Sequence, residues 1–291
     1  MQKKRTHSKQ HPEPKQEVLD MISGSYIPWE KSKEQVWSEL EKRLEESQTA
    51  KTRFIYTTWM KLAVAAIIII LLGVPVIMQL YTKTIRVPSG KHSSILLPDN
   101  SQVRLNAQST LSYKPLLWKF SRHITFEGEA YFKVQPGRKF EVTSGHGTTL
   151  VLGTSFNIYS RNVDYQVTCI SGEIKVIENI SKKEVFLYTG QKAELNPEGM
   201  LEVQSDINTE QALSWLHNRF NFTSVQLTKV FEEICRQYGV TISIPGDIDN
   251  TYTGTFNRSA SVENVLNLVC KPFELKFIRK SEDEYIIFKN N

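Results

Sequence analysis

Four regimes of apolar and polar positions succeed one another along the chain. Residues 1–26 are polar, rich in lysine, histidine and proline, and read as a tail. After Pro28-Trp29-Glu30, residues Val36, Trp37, Leu40 and Leu44 recur at helical spacing, which predicts one amphipathic helix over KSKEQVWSELEKRLEES. Ser32 stands before it as N-cap, with Gln35 and acids in the first turns. From Leu62 to Leu80 the chain reads LAVAAIIIILLGVPVIMQL, without a charge. A spanning helix needs ~20 apolar residues to cross ~30 Å of hydrocarbon at ~1.5 Å rise each. This run predicts a single transmembrane helix. A buried soluble helix seldom stays apolar on every side for so long, and the run lies too far into the chain for a signal-peptide core.

Beyond the span the period changes. Residues 84–200 alternate apolar and polar positions, as in Gln102-Val103-Arg104-Leu105 and Arg122-His123-Ile124-Thr125-Phe126. Turn signals recur at Pro88-Ser89-Gly90, Asp99-Asn100, Glu127-Gly128, Pro136-Gly137, Ser171-Gly172, Thr189-Gly190 and Pro197-Glu198-Gly199. Many short strands with regular turns predict an all-β domain. From Phe220 onward two amphipathic helices enter. Leu227, Val230, Phe231, Ile234 and Tyr238 form one, stopped by Gly239; Val262, Val265, Leu266 and Val269 form the other, after Ser261. With the strands around them the order is β-α-β then β-α-β-β, a small α+β domain. The expected division is therefore a tail and amphipathic helix over 1–61, the span over 62–81, the β domain over 84–200, a linker over 201–219 and the α+β domain over 220–291.

Composition narrows the function. The formal net charge is +5 over 291 residues, with Lys and Arg scattered among acids. No basic stripe interleaved with aromatics appears, so direct nucleic-acid binding is not expected. Lys42, Arg43, Lys51, Arg53 and Lys61 before the span outnumber Lys83, Arg86 and Lys91 after it, which puts the N-terminus inside. Three cysteines are too few for a disulfide framework.

Several ordered motifs carry a resemblance. Pro98-Asp99-Asn100-Ser101-Gln102-Val103-Arg104-Leu105-Asn106 resembles the LPDGS-x-V-x-L-N turn of the FecR family, membrane-anchored regulators of extracytoplasmic-function sigma factors. The match continues through Arg122 to Val134, Phe140-Glu141-Val142, Val151 to Ile158, Ser171 to Ile174 and Leu187 to Ala193. The part from Phe220 to Phe288 looks like the small secretin/TonB N-terminal-type domain that follows in Bacteroidota members. The resemblance implies a mainly β, inner-membrane anti-sigma factor. Its periplasmic part would meet the signalling domain of a TonB-dependent outer-membrane transporter, and its cytoplasmic part would hold an extracytoplasmic-function sigma factor. The chain departs from many members in its short segment before the span, which leaves Trp29, Trp37, Leu40 and Leu44 as the expected sigma-binding surface. A membrane-anchored glycan- or envelope-binding protein is the competing reading, in which that helix is dispensable.

Chemistry on a substrate is not expected. Gly153-Thr154 resembles a bond that self-cleaves in some family members, by attack of the Thr hydroxyl on the preceding carbonyl. The plainer reading, a tight backbone position followed by a strand residue, is preferred. His92, His123, His146 and His217 are dispersed without metal-ligand spacing. No nucleophile elbow or phosphate-binding loop is present, so no metal and no cofactor are expected. Glu127 and Glu129 read as a solvated strand face. Cys235 and Cys270, both on apolar helices, read as buried free thiols.

Overall fold

The computed structural model of the chain describes residues 30–244, 248–258 and 261–289. The polar tail and Trp29 lie outside the described residues. The first element is a single helix, α1 (Lys33–Leu80), of 48 residues. The sequence predicts two helices here, because residues 47–58 carry no apolar period; the backbone continues through them without a break. Ser32 and Gln35 form the capping box that starts the helix. The Gln35 N–H donates to Ser32 Oγ at 3.3 Å, and the Ser32 N–H donates to Gln35 Oε1 at 3.0 Å. The stretch Tyr56–Leu80 is long and apolar enough to cross a membrane, and none of its most apolar window is buried. Pro75 lies inside it and removes one rung of the hydrogen-bond ladder.

Thirteen strands follow. The first seven are β1 (Lys83–Val87), β2 (Ser93–Leu96), β3 (Gln102–Leu105), β4 (Ser109–Tyr113), β5 (Arg122–Lys133), β6 (Phe140–Thr143) and β7 (Gly147–Val151). The remaining six are β8 (Ser155–Arg161), β9 (Asp164–Ser171), β10 (Glu173–Glu178), β11 (Glu184–Tyr188), β12 (Lys192–Leu195) and β13 (Leu201–Gln204). They form two sheets that share β5. Its first half pairs with β4 and parallel to β6; its second half pairs with β3 and β8. The inward residues of both sheets fill one core. Leu111, Ile124, Phe126 and Ile174 meet Leu105, Phe132, Phe156 and Ile158, all 2% exposed or less. Phe126 and Phe132, both from β5, make an edge-to-face pair across it at 5.7 Å between ring centroids.

Gly128 is where β5 passes from one sheet to the other. The sequence pattern reads Glu127-Gly128 as a turn, but the strand runs straight through it. Glycine is needed here for a different reason: its φ is +117°, and an added Cβ would lie 2.4 Å from Ser109 Oγ and 2.6 Å from Ser109 Cα. A single glycine signals a turn and a close backbone approach alike.

Residues 201–219, read from the sequence as a linker, are largely structured. They supply β13, the short helix α2 (Thr209–Ala212) and a 3₁₀ turn over Ser214–His217 that buries Trp215. The rest follows the predicted order: β14 (Arg219–Gln226), α3 (Leu227–Tyr238), β15 (Thr241–Ser243), β16 (Thr251–Asn257), α4 (Val262–Cys270), β17 (Leu275–Ser281) and β18 (Glu284–Lys289). β14 pairs antiparallel with β16; β18 lies between β15, parallel, and β17, antiparallel. The apolar face of α3 buries Leu227, Val230, Phe231 and Ile234 against this second core. Full burial of each is worth ~1.5–3 kcal/mol. Gly239, at φ +74°, caps α3 and donates its N–H to the Cys235 carbonyl at 2.8 Å.

The crossing at Gly128 sets a comparison. Gly128→Ala should lower the unfolding free energy by about 2–4 kcal/mol, through steric overlap and left-handed strain together. Gly190→Ala, at φ +83° with no atom within 4 Å of the added Cβ, should cost about 1 kcal/mol. Chemical denaturation followed by tryptophan fluorescence measures both.

Candidate functional site

The helix that precedes the span presents one apolar stripe. Trp37, Leu40 and Leu44 fall on one face of α1 and are 59%, 46% and 55% exposed. Val36 widens the stripe. The flank is polar: Glu39 pairs with Lys31 at 2.7 Å and with Arg43 at 3.3 Å. The hydrogen bond from Lys31 holds the Glu39 carboxyl below the usual carboxylate range. Trp29, expected on the same surface, lies outside the described residues.

Gly153 and Thr154 sit between β7 and β8. A Cβ on Gly153 would lie 2.7 Å from Pro136 Cα, so this is a tight backbone position. Gly153 is not among the residues of positive φ. Thr154 is 3% exposed, and its hydroxyl donates to the Glu173 carbonyl at 2.9 Å. The pair thus bridges two loops of the β domain.

The β domain and the α+β domain meet across a buried polar seam that the sequence did not single out. Gln237, 4% exposed on α3, donates through Nε2 to Asn106 Oδ1 at 2.7 Å and to Glu233 Oε1 at 2.8 Å. Asn106 passes the chain on, donating through Nδ2 to Glu129 Oε2 at 2.7 Å. Glu129 Oε1 accepts from Asn157 Nδ2 at 3.1 Å. Asn157 Oδ1 accepts from the indole N–H of Trp215 at 3.2 Å. His92 closes the seam, its Nε2 lying 3.0 Å from Gln237 Oε1 and its ring edge-on to Trp215. Around the rim, Lys229 reaches both carboxylate oxygens of Asp164 at 2.9 Å, and the Gly90 N–H donates to the Arg236 carbonyl at 2.8 Å.

This places Glu129 differently from the expected solvated face. Glu127 is exposed, but the crossing at Gly128 hands Glu129 to the other sheet, where it is half-buried on the floor of a cleft of about 590 Å³. Desolvation, with the neighbouring Glu233 carboxylate, pushes its pKa up to about 7. Burial likewise lowers the pKa of His92 and pushes the phenol of Tyr159, which lines the same cleft, up to about 12. Three of the seam residues, Asn106, Glu129 and Asn157, lie inside the motifs quoted above. Glu129 and Asn157 alternate with the core residues Ala130, Phe132, Phe156 and Ile158, so they stand on the outward face, which the α+β domain covers.

Among the described residues, no three His, Cys, Asp or Glu side chains gather as a metal site. The three cysteines are free; burial pushes the thiols of Cys169 and Cys270 up to about 11.

The seam makes stability depend on pH. Between the unperturbed pKa of about 4.5 and the folded value of about 7, the folded protein keeps the Glu129 proton and the unfolded chain has released it. Stability should therefore fall as pH rises through that window and level off above it, by about 2–3 kcal/mol from this group. Glu129→Gln should flatten that part of the slope. Urea midpoints of both proteins from pH 4.5 to 8 check it.

Comparison with known proteins agrees with this architecture. A family model described as FecR protein matches residues 83–175, and one described as FecR, C-terminal matches residues 219–287. Together they cover more than half of the chain. Two crystal structures of a candidate anti-sigma factor from Parabacteroides distasonis, at 2.50 and 1.65 Å resolution, share the fold. Their TM-scores are 0.66 and 0.65, at 24% identity, over 72% of this chain and all of theirs. No curated protein matches the chain.

Proposed function

The chain belongs to the FecR family, and from that premise we propose that it is a single-pass anti-sigma regulator that carries a signal across the inner membrane. The N-terminal face of α1 holds an extracytoplasmic-function sigma factor in the cytoplasm. Tyr56–Leu80 crosses the bilayer. The β and α+β domains stand in the periplasm, where the α+β domain receives the signalling domain of a TonB-dependent outer-membrane transporter. The excess of Lys and Arg before the span supports this direction.

The observation that carries the reading is the exposed stripe of Trp37, Leu40 and Leu44 on a capped helix, placed ahead of a membrane-length apolar run in a FecR-family chain. A tryptophan and two leucines at i, i+3 and i+7 suit a helix-in-groove contact, and aromatic anchors dominate such interfaces. The Gly153–Thr154 pair serves packing in this reading, with Gly153 closed against Pro136 and the Thr154 hydroxyl joined to the Glu173 carbonyl.

Capture of the cognate sigma factor by the full chain in detergent tests the proposal. Trp37→Ala and Leu40→Ala should each weaken binding about tenfold or more, which is ~1.4 kcal/mol. Lys42→Ala, on the face opposite the stripe, should bind as the parent does. Equal capture by all four proteins would sink the assignment of this surface.

A further inference from the structure

One end of the sheet that contains β1 carries exposed apolar side chains that the folded domain does not use. Strand register fixes which end this is. Lys83 pairs with Tyr113, Arg122 with Phe140, and Phe140 with Val151. The start of β1, the loop from β4 to β5, the start of β6 and the end of β7 therefore lie side by side. At this end Phe120 is 76% exposed, Leu152 65% and Leu116 46%. Two loop contacts join them into one rim: Arg138 donates to the Lys119 carbonyl, and the Gly137 N–H donates to the Leu152 carbonyl at 2.8 Å. Beneath the rim Trp118 is buried edge-on against Tyr113 and Phe140, so the loop that presents Phe120 is anchored.

This rim is also where the chain leaves the apolar helix. Leu80 ends α1 and Lys83 begins β1. Three residues reach at most ~11 Å. The headgroup layer is roughly 5–8 Å thick on each side of the hydrocarbon. A sheet end tethered this closely to the end of a span meets that layer. Its charge suits the meeting: Lys83, Lys119, Arg138 and Lys139 are exposed here. The acids of the rim are Glu141, tied to Lys139 at 2.7 Å, and Glu173. The opposite end of the same sheet carries Ile180 at 91% exposure, but there Arg86, Lys182 and Lys183 stand among Glu127, Glu178 and Glu184, and no helix end is tethered to it.

We propose that this rim is a membrane-contact surface, in which Phe120, Leu116 and Leu152 enter the lipid interface and the surrounding Lys and Arg meet anionic headgroups. Aromatic and aliphatic side chains ringed by cations are the composition that interfacial segments use. The contact gives the β domain a fixed seat on the bilayer. The inference rests on the reading of Tyr56–Leu80 as a span.

The test uses the full chain carrying Cys235→Ser, reconstituted in vesicles of phosphatidylglycerol and phosphatidylcholine. An environment-sensitive fluorophore is placed by Phe120→Cys on the rim, Ile180→Cys at the far end, or Ile69→Cys in the span. The expected result is a blue shift, and loss of fluorescence to nitroxide-labelled lipid, at positions 69 and 120 but not at 180. Quenching at 69 with a water-like probe at 120 would overturn the rim and leave the span standing. A blue shift at 120 without lipid quenching would overturn it in favour of a protein covering the rim. A water-like probe at 69 would remove the span and the rim together.

Discussion

The place where Ser109 and Gly128 lie against each other governs much of the rest. β5 must leave one sheet and enter the other within a single residue, and only a residue without a side chain fits beside Ser109 Cα. The Ser109 hydroxyl then completes the backbone pairing that the crossing interrupts. It accepts from the Glu129 N–H at 3.0 Å and donates to the Glu129 carbonyl at 3.1 Å. The Asn106 N–H adds a further bond to that carbonyl at 2.9 Å. The backbone of Glu129 is thus held from two sides, and its carboxylate is aimed at the α+β domain. One close approach in the β core fixes the middle of the polar seam.

That seam has a different character from either core. Each core is apolar and tolerates hydrophobic exchange of similar volume. The seam is made of amides, a carboxyl and an indole N–H, each directed at a particular partner. Such contacts specify an orientation more than they add affinity, because a mispaired amide in a buried place costs what the paired one gains. Directional bonds thus run across the meeting of the two domains.

The sequence announced most of the architecture, and the reasons it fell short are local. The α+β order was legible because α3 and α4 each bury one continuous stripe and α3 ends at Gly239, which adopts the left-handed conformation its position implied. The strands of the β domain were legible through alternation. The continuity of α1 was not, since Ser47–Thr58 carries no apolar period to announce a helix, although Gln48, Ala50, Lys51 and Arg53 favour one. Residues 201–219 read as a linker because their one large anchor, Trp215, is buried through an indole bond to a residue far away in sequence. Glu129 was misread because alternation, unbroken through Gly128, tells outward from inward but not that the α+β domain covers this part of the outward face.

The middle place of β18 has a consequence in time. β15 finds its parallel partner only when Thr241 can meet Glu284, and β17 closes on the same strand. During synthesis the span and the β domain emerge first, while β15 and β17 wait with open edges until Glu284–Lys289 has been made. Tyr285 and Ile287 then complete the core on which the buried face of α3 rests. The seam to the β domain, which runs through Gln237 on that helix, thus rests on a core that needs β18 to be complete. A half-made chain therefore has its apolar helix and its β core before the edge strands of the second domain are paired.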